Sequence, residues 1–133
     1  MQLVSIRIIT DQINLVVAFY ERATGIAANW STSDFAEVVT SAGTLAIGST
    51  ATVALFGAGS AEAGQNRSAI IEFLVDDVDA CYAELRDWVT EFVNEPTTMP
   101  WGNRSLLLRD PDGNLVNFFT PVTDAVRQKF GLS

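Results

Sequence analysis

A chain with no histidine and one cysteine has few routes to covalent or metal chemistry. Ser–His and Cys–His nucleophiles are ruled out, as are an internal disulfide and a cysteine-based metal cluster, so any argument for zinc rests on carboxylates. Sixteen Asp and Glu residues could supply an acid–base pair, but spacing alone does not say which of them share a pocket. The catalytic residues are therefore left unassigned. Binding chemistry is better represented. Trp101 sits between Pro100 and Gly102, where a large ring serves either as a stacking wall for an aromatic or cationic ligand or as a plug over a sheet edge. Arg104 follows it and can anchor a ligand carboxylate or, more in keeping with surface arginines, pair with Asp110, Asp112 or an acid of the other module. Cys81 falls on the apolar stripe of a helix, where a thiol behaves as a small hydrophobe.

The elements that must hold these residues are read from turns and periodicity. In Arg109-Asp110-Pro111-Asp112-Gly113-Asn114, Pro111 suits the turn position with fixed φ and Gly113 the position with positive φ, while Asp110 and Asn114 can bond neighbouring backbone. Ser105 to Arg109 and Leu115 to Thr120 are thus predicted to form a hairpin. Leu3 to Ile9 reads as a strand, and Asp11 opens a helix with Ile13, Val16, Val17 and Tyr20 on one face, closed by Gly25. The pattern returns at Ala69 to Val75, with Asp76 or Asp77 as cap and Val78, Cys81, Tyr82, Leu85 and Trp88 or Val89 along a second helix. Shorter strands follow each helix, at 28–31, 35–41 and 44–48, then at 91–94 and in the hairpin. Asp124 to Phe130 reads as a short final helix capped by Thr123 or Asp124, closing the concave side of the sheet or packing on a second subunit.

The chain is therefore expected to be α+β, with two βαβββ modules (1–48 and 67–120), a Gly-, Ala- and Ser-rich linker (49–66) and a C-terminal tail (121–133). The two modules should join into a curved mixed sheet with helices on the convex side and a concave cup on the other. Alternation sends Ile71, Phe73 and Val75 under the second helix and Ile70, Glu72 and Leu74 toward the cup. By the repeat, Ser5, Arg7 and Ile9 face the cup from the first module, where Arg7 and Glu72 could pair. Trp30 and Phe35 are further candidates for its wall, and Asn117 and Phe119 share the face of Leu115.

With 133 residues, 48% of them hydrophobic, one domain is the expectation. No apolar run reaches the roughly 20 residues of a membrane helix, and the amino terminus lacks a signal-peptide layout, so a cytoplasmic protein without a membrane partner is expected. The net charge of −8 argues against a nucleic-acid partner and, near a cleft, favours a cationic ligand.

The closing hairpin, with Pro-Trp-Gly and an Arg ahead of it and a strand–helix unit before that, resembles the vicinal-oxygen-chelate superfamily of glyoxalase I, bleomycin-resistance proteins and ring-cleaving dioxygenases. The resemblance spans nearly the whole chain. It implies metal ligands at first- and last-strand positions of each module, which fall on Ser5, Ile70, Asn117 and, counting from Gly43, Ile47. Only Asn117 and Ser5 carry donor atoms, so no metal and no other cofactor is expected. The resemblance points to a metal-free small-molecule binder of the bleomycin-resistance kind, acting as a homodimer. Its residues would be Ser5, Arg7, Trp30, Phe35, Ile47, Ile70, Glu72, Trp101, Arg104, Asn117 and Phe119. The alternatives are a lyase, isomerase or dioxygenase with a rearranged metal site or acid–base residues, and a regulatory or immunity module that contacts a protein.

Overall fold

A computed structural model describes residues 1–133. Its elements are β1 (Ser5–Thr10), α1 (Ile13–Thr24), β2 (Asn29–Thr32), β3 (Phe35–Val39), β4 (Thr44–Ser49), a 3-10 turn at Thr50–Thr52, α2 (Val53–Phe56), β5 (Ile70–Leu74), α3 (Val78–Leu85), β6 (Thr97–Thr98), β7 (Asn103–Arg109), β8 (Leu115–Pro121) and α4 (Asp124–Lys129). The strand orders are β1-β4-β3-β2 and β5-β8-β7-β6. In both sheets the outer first strand runs parallel to its neighbour and the other pairs are antiparallel. The fold is α+β, with the same βαβββ plan used twice. Two compact units result: Met1–Asn66 with Pro111–Gly113, and Arg67–Asp110 with Asn114–Ser133.

In the first unit α1 packs on β3 and β4. Val16, Val17 and Tyr20 are buried with Ile8, Ala36, Val38, Leu45 and Ile47, each of the large aliphatics contributing about 1.5–3 kcal/mol by leaving water. Gly25 ends the helix at φ 72°, its N–H donating to the Glu21 carbonyl at 2.9 Å, a left-handed cap that glycine adopts without strain. The helix opens differently from expectation. Gln12 is the cap residue rather than Asp11; its backbone N–H donates to Thr10 Oγ1, and its side-chain Nε2 donates to Asp112 Oδ1 at 2.7 Å.

In the second unit Ile71 and Phe73 lie under α3 in register with Val116 and Phe118, and the Phe73 and Phe118 rings stack at 5.4 Å. Asp77 caps α3 by accepting from the Ala80 N–H at 3.1 Å. The hairpin turn closes as its residues require. The Asn114 N–H and amide nitrogen both donate to the buried Asp110 carboxylate, at 2.9 and 2.8 Å, and Gly113 has φ 82°. The expected strand at 91–94 is reduced to a single bridge from Phe92 to Leu108. Thr97–Thr98 pairs with β7 further along, and between the two Asn94 Oδ1 accepts from the Leu107 N–H at 2.7 Å. Trp88 lies beyond the end of α3 and is half-buried, so Val89 is the core residue there.

Candidate functional site

The long helices α1 and α3 each pack on one face of their sheet and leave the opposite face to shorter segments. In the second unit that face carries Ile70, Glu72 and Leu74 from β5. Opposite them on β8 stand Leu115, Asn117 and Phe119, and on β7 Arg109, Leu107 and Ser105. Ile70 and Leu74 are 46% and 39% exposed, large apolar side chains facing outward on either side of the exposed Glu72. Glu72, Asn117 and Leu107 form one row across three strands.

Asn117 is the chemically distinctive member of that row. It is 9% exposed, and its Nδ2 donates to Glu72 Oε2 at 2.8 Å. The carboxylate can only accept, so it fixes the amide with nitrogen toward Glu72 and oxygen away. That oxygen is buried and has no donor. Asn103 Oδ1, at the far end of β7 on the same face, is likewise buried and unpaired. A face with a carboxylate and two unpaired amide oxygens is rich in acceptors and asks for donors, since an unmet buried acceptor costs about 1–3 kcal/mol.

Phe119 lies on the expected face but is only 7% exposed, because Phe130 at the end of α4 covers it at 5.5 Å between ring centroids. Trp101 is 65% exposed, and the loop beneath it is pinned: the Gly102 N–H donates to the Met99 carbonyl, and its own carbonyl accepts from Val122. Arg104 requires a correction. It pairs with Thr120, one residue out of phase with Asn117, and so lies on the α3 side. There its Nε and Nη2 donate to the two Asp79 oxygens at 2.8 and 2.9 Å. That hydrogen-bonded pair holds the Asp79 carboxyl below its ordinary value, and leaves Arg104 committed to the helix.

In the first unit Ser5, Arg7 and Phe35 occupy the open face, and the Arg7 guanidinium lies over the Phe35 ring at 4.5 Å. Arg7 and Glu72 thus each have a partner within their own unit. Two other expectations change. Ile47 is fully buried in the row of Ile8 and Ala36, under α1, and the open-face residues of β4 are Ala46 and Gly48. Trp30 pairs with Ala36 and takes the helix side as well. Alternation along the hairpin could have added Leu107 and Ser105 to the candidates, while Asn103 and Phe130 had no sequence signal.

The positions where the resemblance puts metal ligands can be tested against their donors. Ile70, Ile47, Ala46 and Gly48 have none, Ser5 offers a neutral hydroxyl, and Asn117 has one neutral oxygen left. A hard divalent ion takes roughly six or more oxygens, and catalytic zinc about three protein ligands. The donor set does not fit such an ion, and no group of three or more acidic, Cys or His side chains is arranged to hold one. Cys81 offers no substitute, since burial pushes its thiol up and Glu84, Asp77 and Asp76 add to the shift, keeping it protonated.

A family model described as Glyoxalase/Bleomycin resistance protein/Dioxygenase superfamily matches residues 2–118. Among solved structures, a glyoxalase/bleomycin resistance protein/dioxygenase family enzyme from Burkholderia phytofirmans PsJN is similar at TM-score 0.79 and 19% identity, covering 92% of this chain and all of that one. A protein of unknown function from Agrobacterium tumefaciens C58 is similar at 0.77 and 23% identity, covering 92% and 95%. A glyoxalase/bleomycin resistance protein/dioxygenase from Nocardioides is similar at 0.74 and 19%, covering 93% and 85%. No curated protein matches. At these identities the structures speak for the fold, and the family match over most of the chain assigns it to the glyoxalase/bleomycin resistance protein/dioxygenase superfamily.

Proposed function

We propose that this protein binds a small organic molecule without a metal, and that its ligand is a cationic, donor-bearing compound of the antibiotic type. The observation that carries this is the Glu72–Asn117 pair: an exposed carboxylate beside a buried amide oxygen without a donor, between the outward-facing Ile70 and Leu74. An amine or amidine would satisfy both oxygens, and an aromatic or aliphatic body would cover the apolar flanks. The net charge of −8 favours the approach of a cation. Trp101, 65% exposed in the loop between β6 and β7 of the same unit, offers a ring face for stacking. We take the working form to be a homodimer in the cytoplasm, where a lone half-buried thiol stays reduced; no helix is long and apolar enough to cross a membrane.

A thermal-shift screen over cationic antibiotics, aldehyde–thiol adducts and catechols, each with and without divalent metal, tests the reading. Stabilisation by cationic compounds, independent of metal, is expected. Stabilisation only by adducts or catechols plus metal would replace it with an enzyme using a rearranged centre.

A further inference from the structure

The open face of the first sheet holds a different arrangement, independent of the one just described. Arg7 stands on β1 in register with Ala46, whose small side chain leaves the guanidinium room to lie across the sheet. The Phe35 ring is 4.5 Å from it and the Phe56 ring, from α2, 5.2 Å. Gly48 lies beside this packing. A Cβ there would crowd Thr52 Oγ1 at 3.0 Å but would meet Ile9 Cδ1 and Arg7 Cδ, at 3.4 and 3.6 Å, in ordinary van der Waals contact.

Ring faces neutralise no charge and accept no in-plane hydrogen bonds. A guanidinium held over ring faces keeps N–H donors free for an anion, and its planar fork can grip a carboxylate through two parallel bonds. Arg104 uses that fork on Asp79; Arg7 has no carboxylate of its own unit within ion-pairing distance. Glu37 points to the same face one strand beyond Ala46 and bounds the site with negative charge on that side. Phe56 is 72% exposed and Leu55 86%, so an apolar surface adjoins the guanidinium where an aromatic body would rest.

We infer that Arg7, Phe35 and Phe56 form a binding site for an aromatic carboxylate, the carboxylate on the Arg7 fork and the ring against Phe56. Isothermal titration of the full chain with 2-naphthoate, 2-naphthylmethanol and 2-naphthylmethylammonium tests it. The carboxylate should bind at least tenfold tighter than the alcohol, and its affinity should fall as salt is raised. Arg7→Gln should remove that advantage while leaving alcohol binding within about twofold, since the ring contacts remain. Arg7→Lys, which keeps the charge and loses the planar fork, should retain part of it and serves if Arg7→Gln does not fold by circular dichroism. Naphthoate binding no tighter than the alcohol, binding of the ammonium in preference, or undiminished naphthoate binding in both variants would overturn the inference.

Discussion

Replacing Asn117 with leucine separates a residue kept for a ligand from one kept for the fold. The side chain is 9% exposed, and leucine has the same branched skeleton of side-chain heavy atoms, so it enters without leaving a cavity. The change deletes a buried acceptor that has no partner, relieving a penalty of about 1–3 kcal/mol. It also removes the 2.8 Å bond to Glu72. Glu72 is exposed and regains water, so that loss is near the ordinary net value of about 0.5–1.5 kcal/mol. The apolar neighbours Leu107, Leu115 and Phe119 add a favourable contact. Asn117→Leu is therefore expected to lie between about 0.5 kcal/mol less and about 2.5 kcal/mol more stable in urea, a rise of up to roughly 8 °C in Tm for a chain of this length, while binding of any cationic ligand is lost. Stability gained as function is lost is the mark of a site residue. A destabilisation above about 1 kcal/mol would instead make the amide a structural hydrogen-bonding group and remove it from the site.

Three further outcomes follow from other parts of the structure. Gly102 has φ 96°, and a Cβ there would collide with Thr123 Oγ1 and lie 2.8 Å from Val126 Cγ2, so Gly102→Ala should cost roughly 1–3 kcal/mol in urea unfolding by displacing α4. Asp79 has its carboxyl lowered by the Arg104 hydrogen bond from an ordinary 3.8. Its contribution is present above the unfolded value and fades as pH falls through the lower folded value. The urea midpoints of wild type and Asp79→Asn should therefore differ at pH 6 and converge below that range. If Trp101 stacks on the ligand, a cationic aromatic compound should quench tryptophan fluorescence and Trp101→Ala should abolish the quench with the fold intact; unchanged quenching would remove Trp101 from the site.

What the sequence made legible was local. The Asp-Pro-Asp-Gly-Asn turn encodes its own hydrogen bonds, and five alternating residues of β5 assign Ile71 and Phe73 to the helix and Ile70, Glu72 and Leu74 to the open face. The failures came where register depends on a turn. Glu72 pairs with Asn117, four residues after Gly113, whereas its counterpart Arg7 pairs with Ala46, three after Gly43. One residue fewer inverts every side chain of the strand, which is why Ile47 went to the core. Trp30 was unreadable because β2 is a short edge strand with a bulge after it, and Arg104 because its partner Asp79 lies on a helix 25 residues earlier. The unpaired oxygen of Asn117 belongs to packing across three strands, which no periodicity encodes.

Metal-free binding at Glu72 is measured by isothermal titration of a cationic ligand from the screen into protein held in EDTA, comparing wild type with Glu72→Gln. Binding is expected to survive the chelator and to weaken at least tenfold in the variant, as when one of a charged pair is neutralised. Binding that vanishes in EDTA, or is equal in both proteins, would contradict metal-free binding at Glu72.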